Sequence, residues 1–404
     1  MPSAIVRRWV HRLMSGLIVL ALCGCAATLV REAVPERLAS EAQLSGMVNV
    51  RFWGDRAEGP MQQFVAAELP RIRSRFAVMP ANQMPKDDIL ALSGGADDGA
   101  FGAGLLAGWT RHGSRPTFGV VTGVSAGALI APFAFLGPEY DRQLEAIFKS
   151  YGGEDIYRTN VLSGLLGGSA LADSAPLAGL IARYVDARIV ARLAQERSKG
   201  RYLFIGTTNL DAQRPVLWDL GKIAMSGRPE ALDLIRKLML ASASIPGLFP
   251  PVTIRVMAGR RSFDEMHVDG GPTREVFFAP TDFSFLELDR KLGRKVQRRL
   301  WVVRNGKLEP EYSSTEPGAL AISQRSIETL TKYQSIGDLN RIYHNAQTEG
   351  IDFNLIAIPQ GFSAPRPQPF DRGYMSALFD KGFELGKAGA HWTKAPPGIV
   401  VAKR

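Results

Sequence analysis

Residues 123–127 read Gly-Val-Ser-Ala-Gly and present Ser125 as a candidate nucleophile. Residues 117–122 before them are mostly apolar and β-branched, as in a buried strand, and the residues after them are small and compatible with a helix. Gly123 and Gly127 allow backbone segments to approach closely at a sharp strand-to-helix turn. The pattern predicts a nucleophile elbow; the alternative is a small-residue contact between a helix and a strand.

A glycine-rich turn at residues 94–104 is the second feature with chemical potential. It follows a short apolar strand at residues 88–93 and leads into a helix near residue 105. Successive backbone N–H groups in such a turn converge on one concavity and favour an anion. A dinucleotide-binding turn is the alternative, but the turn lacks the Gly-x-Gly-x-x-Gly order and no acidic residue follows at the required distance.

The third feature is Asp269, which is followed by Gly270 and Gly271. Alone, an Asp before two glycines is typical of a turn. Together with the apolar stretch Ala-Ser-Ala-Ser-Ile-Pro-Gly-Leu-Phe-Pro-Pro at residues 241–251, the three motifs in this order resemble the patatin-like phospholipase family, over about residues 89–271. The resemblance implies a three-layer α/β/α fold and a Ser–Asp dyad. It implies Ser125 as the nucleophile and Asp269 as its partner.

The implied chemistry is consistent for an acyl hydrolase. A serine hydroxyl is a weak nucleophile that needs a base within hydrogen-bond reach, and a carboxylate becomes a better base when burial raises its pKa. Gly270 and Gly271 allow the backbone beside the aspartate to lie close to the elbow. The product is an acyl-enzyme that water hydrolyses. The expected oxyanion donors are the backbone N–H groups of Gly94, Gly95 and Ala96.

Two residues of the glycine-rich turn depart from the family pattern. Ala96 stands where a third glycine is usual, and Asp98 stands where a basic residue is usual. An aspartate that faced inward would oppose an oxyanion. The milder interpretation is that Asp97 or Asp98 caps the following helix at its positive end. Backbone donors do not depend on these side chains, so activity remains compatible with the turn.

Two other functions stay open. An α/β-hydrolase triad would need an acid and then a histidine after the serine, and His344 and His391 are the later histidines. His267 precedes Asp269 by two residues and either orients the site or is a partly buried polar residue. A non-catalytic envelope lipoprotein that keeps the fold as a scaffold or binding module is the other alternative, which Ala96 and Asp98 favour.

The N-terminus is typical of a bacterial lipoprotein. Three arginines precede a short apolar run at residues 13–22, and Leu-Cys-Gly-Cys at residues 22–25 resembles a lipobox. Cleavage would then leave Cys25 as the acylated first residue, anchored in the membrane, and Ala26 favours the outer membrane of a Gram-negative cell. An ordinary secretory signal cut near Ala27 is the alternative. Removal of residues 1–24 lowers the net charge from +10 to +7.

The positive charge does not indicate nucleic acid. Its densest run, at residues 291–299, is predicted to lie on an amphipathic helix without interleaved aromatic residues. We expect either a solvated helix face or attraction to anionic lipid headgroups. No histidine or cysteine cluster has metal-ligand spacing, so no metal or other cofactor is expected. The apolar loop at residues 245–249 is either part of an acyl-chain groove or a packed turn.

Strands that alternate with helices predict a mostly parallel sheet covered on both faces. The expected organisation is a signal peptide at residues 1–24, a tether and N-terminal cover segment at 25–85, and a catalytic domain at 86–404. The later predicted helices cover residues 139–151, 176–198, 229–243, 323–343 and 374–390, and the later strands cover 201–206, 299–304 and 351–358.

Overall fold

The structure, a computed structural model, describes residues 31–57, 59–77, 83–159 and 170–399. The predicted signal peptide, Cys25 and a glycine-rich loop expected at residues 163–169 lie outside these ranges. None of the described helices is both long and apolar enough to cross a membrane.

Within the described residues, nine strands form one mixed sheet in the order β1-β7-β6-β3-β2-β10-β11, with β9 paired to β6 and β8 paired to β9. The five strands from β6 to β11 in this order are parallel, and β1, β7, β8 and β9 are joined antiparallel. The strands are β1 (Arg51–Trp53), β2 (Lys86–Leu92), β3 (Val120–Val124), β6 (Tyr202–Asn209), β7 (Arg214–Asp219), β8 (Val252–Ala258), β9 (Arg261–Asp269), β10 (Gln297–Arg304) and β11 (Asp352–Ala357), with β4 (Arg158–Thr159) and β5 (Ala172–Asp173) forming a separate pair.

Helices cover both faces of the sheet, and a hydrophobic core lies on each side. One core contains Leu105, Phe133 and Leu238, and the other contains Phe64 and Ile342. The three-layer α/β/α prediction is therefore confirmed. The helices are α1 (Pro60–Ala77), α2 (Gly99–His112), α3 (Ala126–Leu136), α4 (Asp141–Ser150), α5 (Gly153–Ile156), α6 (Ala175–Tyr184), α7 (Ala187–Ser198), α8 (Leu220–Met225), α9 (Ala231–Ser242), α10 (Phe285–Leu292), α11 (Ala319–Thr348) and α12 (Arg372–Lys387).

The register of the sheet explains how residues distant in sequence meet. Strand β3 pairs with the first part of β6 and ends with Val124 opposite Gly206. Strand β9 pairs with the last part of β6 and places Asp269 opposite Thr207. Because Thr207 follows Gly206, Ser125, which follows Val124, and Asp269, the last residue of β9, face each other along the same edge of β6. The sheet thereby juxtaposes Ser125 and Asp269.

Two predictions about local structure were wrong. The single helix expected at residues 176–198 is two helices, because Asp186 accepts hydrogen bonds from the N–H groups of Arg188 and Ile189, both at 2.9 Å, and starts α7 afresh. The basic run at residues 291–299 is not one helix: α10 ends at Leu292 and β10 begins at Gln297.

The basic run is also not a free cationic surface. Arg298 pairs with Asp289 at 2.7 Å, and Arg299 pairs with Asp88 at 2.7 Å. Asp289 lies within ten residues of Arg298 in the sequence, whereas Asp88 lies more than two hundred residues from Arg299. The sheet brings Asp88 and Arg299 together. The N-terminal segment likewise contributes to the fold, since β1 pairs with β7 and α1 buries Phe64 in the core.

Candidate active site

Ser125 lies at a strained turn between β3 and α3. Its backbone has φ 52° and ψ −124°, a region that costs a non-glycine residue on the order of 1–3 kcal/mol. A side chain at Gly123 would place its Cβ 2.4 Å from the carbonyl oxygen of Gly127, so this close approach requires glycine. The N–H of Ser125 donates to Ser242 Oγ at 3.1 Å, which anchors the turn to α9. The geometry is that of a nucleophile elbow.

Asp269 ends β9 and is only 4% exposed. Its Oδ1 accepts a hydrogen bond from the N–H of Gly271 at 2.9 Å. Burial raises the pKa of Asp269 to about 6, while the Ser125 side chain and the Gly271 N–H act in the opposite direction. A side chain at Gly270 would approach Val124 Cγ1 to 2.7 Å, so the strand ends pack tightly here. A buried carboxylate with a raised pKa therefore faces the elbow serine.

The glycine-rich turn connects β2 to α2 and contains the three predicted oxyanion donors. The N–H of Gly94 donates to the carbonyl of Glu275 at 3.0 Å, so the prediction that Gly94 is an oxyanion donor was wrong. The N–H groups of Gly95 and Ala96 have no acceptor among the described residues. Both residues have positive φ, 149° for Gly95 and 50° for Ala96. Two donors of the predicted three therefore remain available.

Glu275 and Arg304 support the turn from behind, and the sequence analysis missed both. The Glu275 carboxylate fills the space beside two glycines, because a Cβ at Gly94 or at Gly271 would meet it at 2.6 or 2.7 Å. Arg304 Nη1 donates to Glu275 Oε1 at 3.2 Å and to the carbonyl of Gly94 at 3.0 Å. Burial raises the pKa of Glu275 to about 8 despite this arginine.

Two further contacts hold this supporting group in place. The Asn305 Nδ2 amide donates to the carbonyl of Ser93 at 2.8 Å, and the N–H of Glu275 donates to Asp338 Oδ2 at 2.7 Å. These contacts join β10 and α11 to the two site loops. The only sequence signal for these contacts was Arg274-Glu275, the pair of charged residues that follows the Asp-Gly-Gly motif.

The two aspartates of the turn do not cap α2, which corrects the prediction. Asp97 Oδ1 accepts from Arg366 Nη2 at 2.6 Å, and Asp97 Oδ2 accepts from the N–H of Phe370 at 3.0 Å. Asp98 accepts from the Tyr374 hydroxyl at 2.6 Å, and no side-chain cap is formed. Burial, reinforced by the charge of Asp97, raises the pKa of Asp98 to about 6. Both carboxylates instead fix the segment at residues 366–374.

An apolar cavity of about 80 Å³ opens beside the elbow, and Ser125 forms part of its wall. Side chains from α3, α6 and α9 surround it. The predicted apolar loop contributes Ile245 and Phe249, so its groove interpretation is compatible with the structure. Further lining residues are Leu129, Phe133, Ile181 and Met239. The cavity wall is predominantly apolar and therefore suits a hydrocarbon chain.

The histidines lie away from this arrangement. His267 is fully buried and its ring contacts Thr207 Oγ1 at 2.9 Å and Glu265 Oε2 at 3.0 Å, so it is more buried than predicted. His344 and His391 are exposed. None of the four histidines in the described ranges forms a hydrogen bond with Ser125. Across those ranges, no group of three metal-ligating side chains is assembled.

Comparison with known proteins identifies the class. Residues 90–281 match the family model described as patatin-like phospholipase. This part of the chain is therefore similar to the patatin-like phospholipases, a family of lipid acyl hydrolases. No protein with a curated description matches the chain. Among solved structures, the chain is similar to the crystal structure of VipD from Legionella pneumophila. The identity is 12%, the match covers 75% of this chain and 67% of that chain, and the TM-score is 0.30.

Proposed function

We propose that the protein hydrolyses carboxylic ester bonds of phospholipids or related lipids through a Ser125–Asp269 dyad and an acyl-enzyme. The observation that carries the proposal is that adjacent positions of β6 bring the elbow Ser125 and the buried Asp269 together, with Ser125 at the wall of an apolar cavity. The match of residues 90–281 to the patatin-like phospholipase family model supports the lipid substrate. Phospholipase A activity is the specific reaction that we propose.

The first half of the reaction transfers the acyl group to the enzyme. Asp269 accepts the hydroxyl proton of Ser125 while Ser125 Oγ bonds to the ester carbonyl carbon. The tetrahedral intermediate collapses, its bond to the alcohol oxygen breaks, and the protonated Asp269 returns the proton to the leaving alcohol. In the second half, Asp269 accepts a proton from water, the resulting hydroxide attacks the acyl carbon, and Ser125 leaves with that proton. The fatty acid is the product.

The oxyanion is bound by the N–H groups of Gly95 and Ala96 in this proposal. Arg304 holds the carbonyl of Gly94, and a trans peptide directs its N–H opposite to its carbonyl, so the N–H of Gly95 points away from Arg304. One such backbone donor contributes about 3–4 kcal/mol to the stability of the transition state. The substrate acyl chain lies in the apolar cavity, and the leaving alcohol lies toward solvent.

Lipid anchoring at Cys25 is a further part of the proposal and rests on the lipobox resemblance alone. An acylated N-terminus would hold the enzyme at the cell envelope, on the outer membrane facing the periplasm. The residues between Cys25 and β1 would then link the anchor to the sheet.

A fluorophosphonate probe tests the nucleophile, because it reacts covalently with an activated serine. We expect the wild type to be labelled, Ser125→Ala to be unlabelled, and the matched variant Ser198→Ala, at an exposed serine of α7, to be labelled like the wild type. Release of fatty acid from a defined phospholipid must follow the same order. A folded wild type that neither reacts with the probe nor releases fatty acid would contradict the enzyme and favour the scaffold alternative.

A further inference from the structure

Helix α11 consists of two halves with different environments. Its 30 residues span about 45 Å, whereas the six residues of β11, the strand that follows it, span about 20 Å. The C-terminal half, from Ser335 onward, packs on the sheet and buries Leu339, Ile342 and Ala346. Among the side chains that the structure describes at residues 319–334, none is buried. The N-terminal half therefore extends beyond the sheet, and we name residues 319–334 the arm.

The segment from residue 305 to residue 334, which contains the arm, begins and ends beside the candidate active site. The chain leaves β10 through Asn305, whose N–H donates to Ser93 Oγ at 2.8 Å behind the glycine-rich turn. It returns at Gln334, whose Nε2 donates to the carbonyl of Thr273 at 3.0 Å in the loop after Asp269. Because β3 and β10 are both parallel to β2, their C-terminal ends share one edge of the sheet. The arm projects from the edge that carries Ser125.

One side of the arm is apolar and exposed. Ile322, Ile327, Leu330 and Tyr333 are 50%, 45%, 71% and 62% exposed. At 100° per residue, the four side chains fall within an arc of about 140°. Surface apolar residues usually occur singly, so four on one helical face indicate a surface that meets an apolar phase or a partner.

The other side of the arm is polar and already has partners. Lys332 pairs with Glu311 at 3.1 Å, and Arg325 donates to the carbonyl of Glu311 at 2.5 Å. The loop at residues 306–318 thus braces the polar side and leaves the apolar side outward. The charges of residues 306–334 nearly cancel: the acids are Glu309, Glu311, Glu316 and Glu328, and the bases are Lys307, Arg325 and Lys332.

We propose that the arm inserts its apolar face into the surface of a lipid bilayer and holds the Ser125 edge of the sheet against the membrane. The proposal rests on the proposed function, because a lipid ester substrate resides in that surface. The near neutrality of the arm favours insertion of apolar side chains over attraction to anionic headgroups. The alternative is that a second copy of the chain covers the apolar face, and the experiment distinguishes this from insertion into a bilayer.

The experiment measures partition onto phosphatidylcholine vesicles in a Ser125→Ala background, so that hydrolysis does not alter the vesicles. Leu330→Gln changes the arm, and Leu286→Gln is the matched control, because Leu286 is an exposed leucine of α10 outside the arm. All chains share the same N-terminus, so any anchor or signal segment contributes equally. We expect Leu330→Gln to weaken partition about tenfold relative to the control, as loss of one buried leucine predicts.

Three outcomes would overturn the proposal. The first is equal partition of the two variants. The second is partition of the parent Ser125→Ala chain that is lost when salt rises from 0.1 to 0.5 M, which would indicate electrostatic attraction. The third is self-association in solution that Leu330→Gln removes, which would assign the face to a second copy. Probe labelling of Leu330→Gln with Ser125 intact must equal the wild type. If the probe labels no chain but the partition difference persists, the proposed function is contradicted and the proposal that the arm inserts into the bilayer still holds.

Discussion

Replacement of Asp269 by asparagine is predicted to remove activity and to stabilise the fold. Asp269 is 4% exposed, and burial raises its pKa from 3.8 to about 6. Because the folded pKa lies above the unfolded value, the folded protein binds the proton more tightly, and its stability falls as pH rises between the two values. The difference of about two pKa units corresponds to about 3 kcal/mol above pH 7. The amide of the substituted side chain would keep an acceptor for the Gly271 N–H without this ionisation cost.

The pH dependence makes the prediction specific. At pH 7 the free energy of unfolding of Asp269→Asn should exceed that of the wild type by about 3 kcal/mol, and the excess should shrink to about 0.5 kcal/mol at pH 4. Urea unfolding across this pH range measures it. The value of kcat for a soluble ester should fall by about 10²–10⁴ because the general base is lost.

The matched control is Asp264→Asn, a half-buried carboxylate on the same strand that pairs with Arg255 at 3.3 Å. It should show no comparable stabilisation and should retain activity. The reasoning is refuted if Asp269→Asn folds but is no more stable than the wild type at pH 7, since the buried carboxylate would then cost nothing. Full activity in this variant would refute the dyad.

Three further predictions concern the supporting groups and the anchor. The hydrolysis rate should decrease below pH 6 and above pH 8. In Glu275→Gln only the decrease above pH 8 should disappear, because Glu275 ionises near that pH beside Asp269. Ala96→Gly should retain activity and raise urea stability by about 0.5 kcal/mol, since relief of a positive φ slightly outweighs the added unfolded-state entropy. Cys25→Ser should move the protein out of the membrane fraction; unchanged retention would contradict lipid anchoring.

Local sequence features predicted the central elements well. The elbow at Ser125 follows from apolar β-branched residues, two glycines and a small-residue helix, all within about fifteen positions. The pairing with Asp269 required the family resemblance, because it depends on the shared strand β6 and not on spacing. The alternation of strands and helices was enough to predict the three layers.

Side chains that act across the sheet were not predictable in the same way. Glu275 and Arg304 meet Gly94 from positions about two hundred residues later, and only the order of parallel strands brings them together. The prediction of a solvated helix at the basic run of residues 291–299 was wrong for a related reason. Its charge pattern is compatible with a solvated helix, but Arg299 forms an ion pair with Asp88 on the neighbouring strand.

The same reasoning explains the unusual aspartate of the glycine-rich turn, Asp98. Asp98 stands where a basic residue was expected, but its carboxylate accepts the Tyr374 hydroxyl and its pKa is raised to about 6, so part of its charge is removed near neutral pH. Positive charge reaches the turn from elsewhere, since Arg304 binds the carbonyl of Gly94 and Arg366 pairs with Asp97. Asp98 therefore changes where the positive charge comes from but leaves the N–H groups of Gly95 and Ala96 without an acceptor among the described residues. For this reason the altered turn does not argue against catalysis.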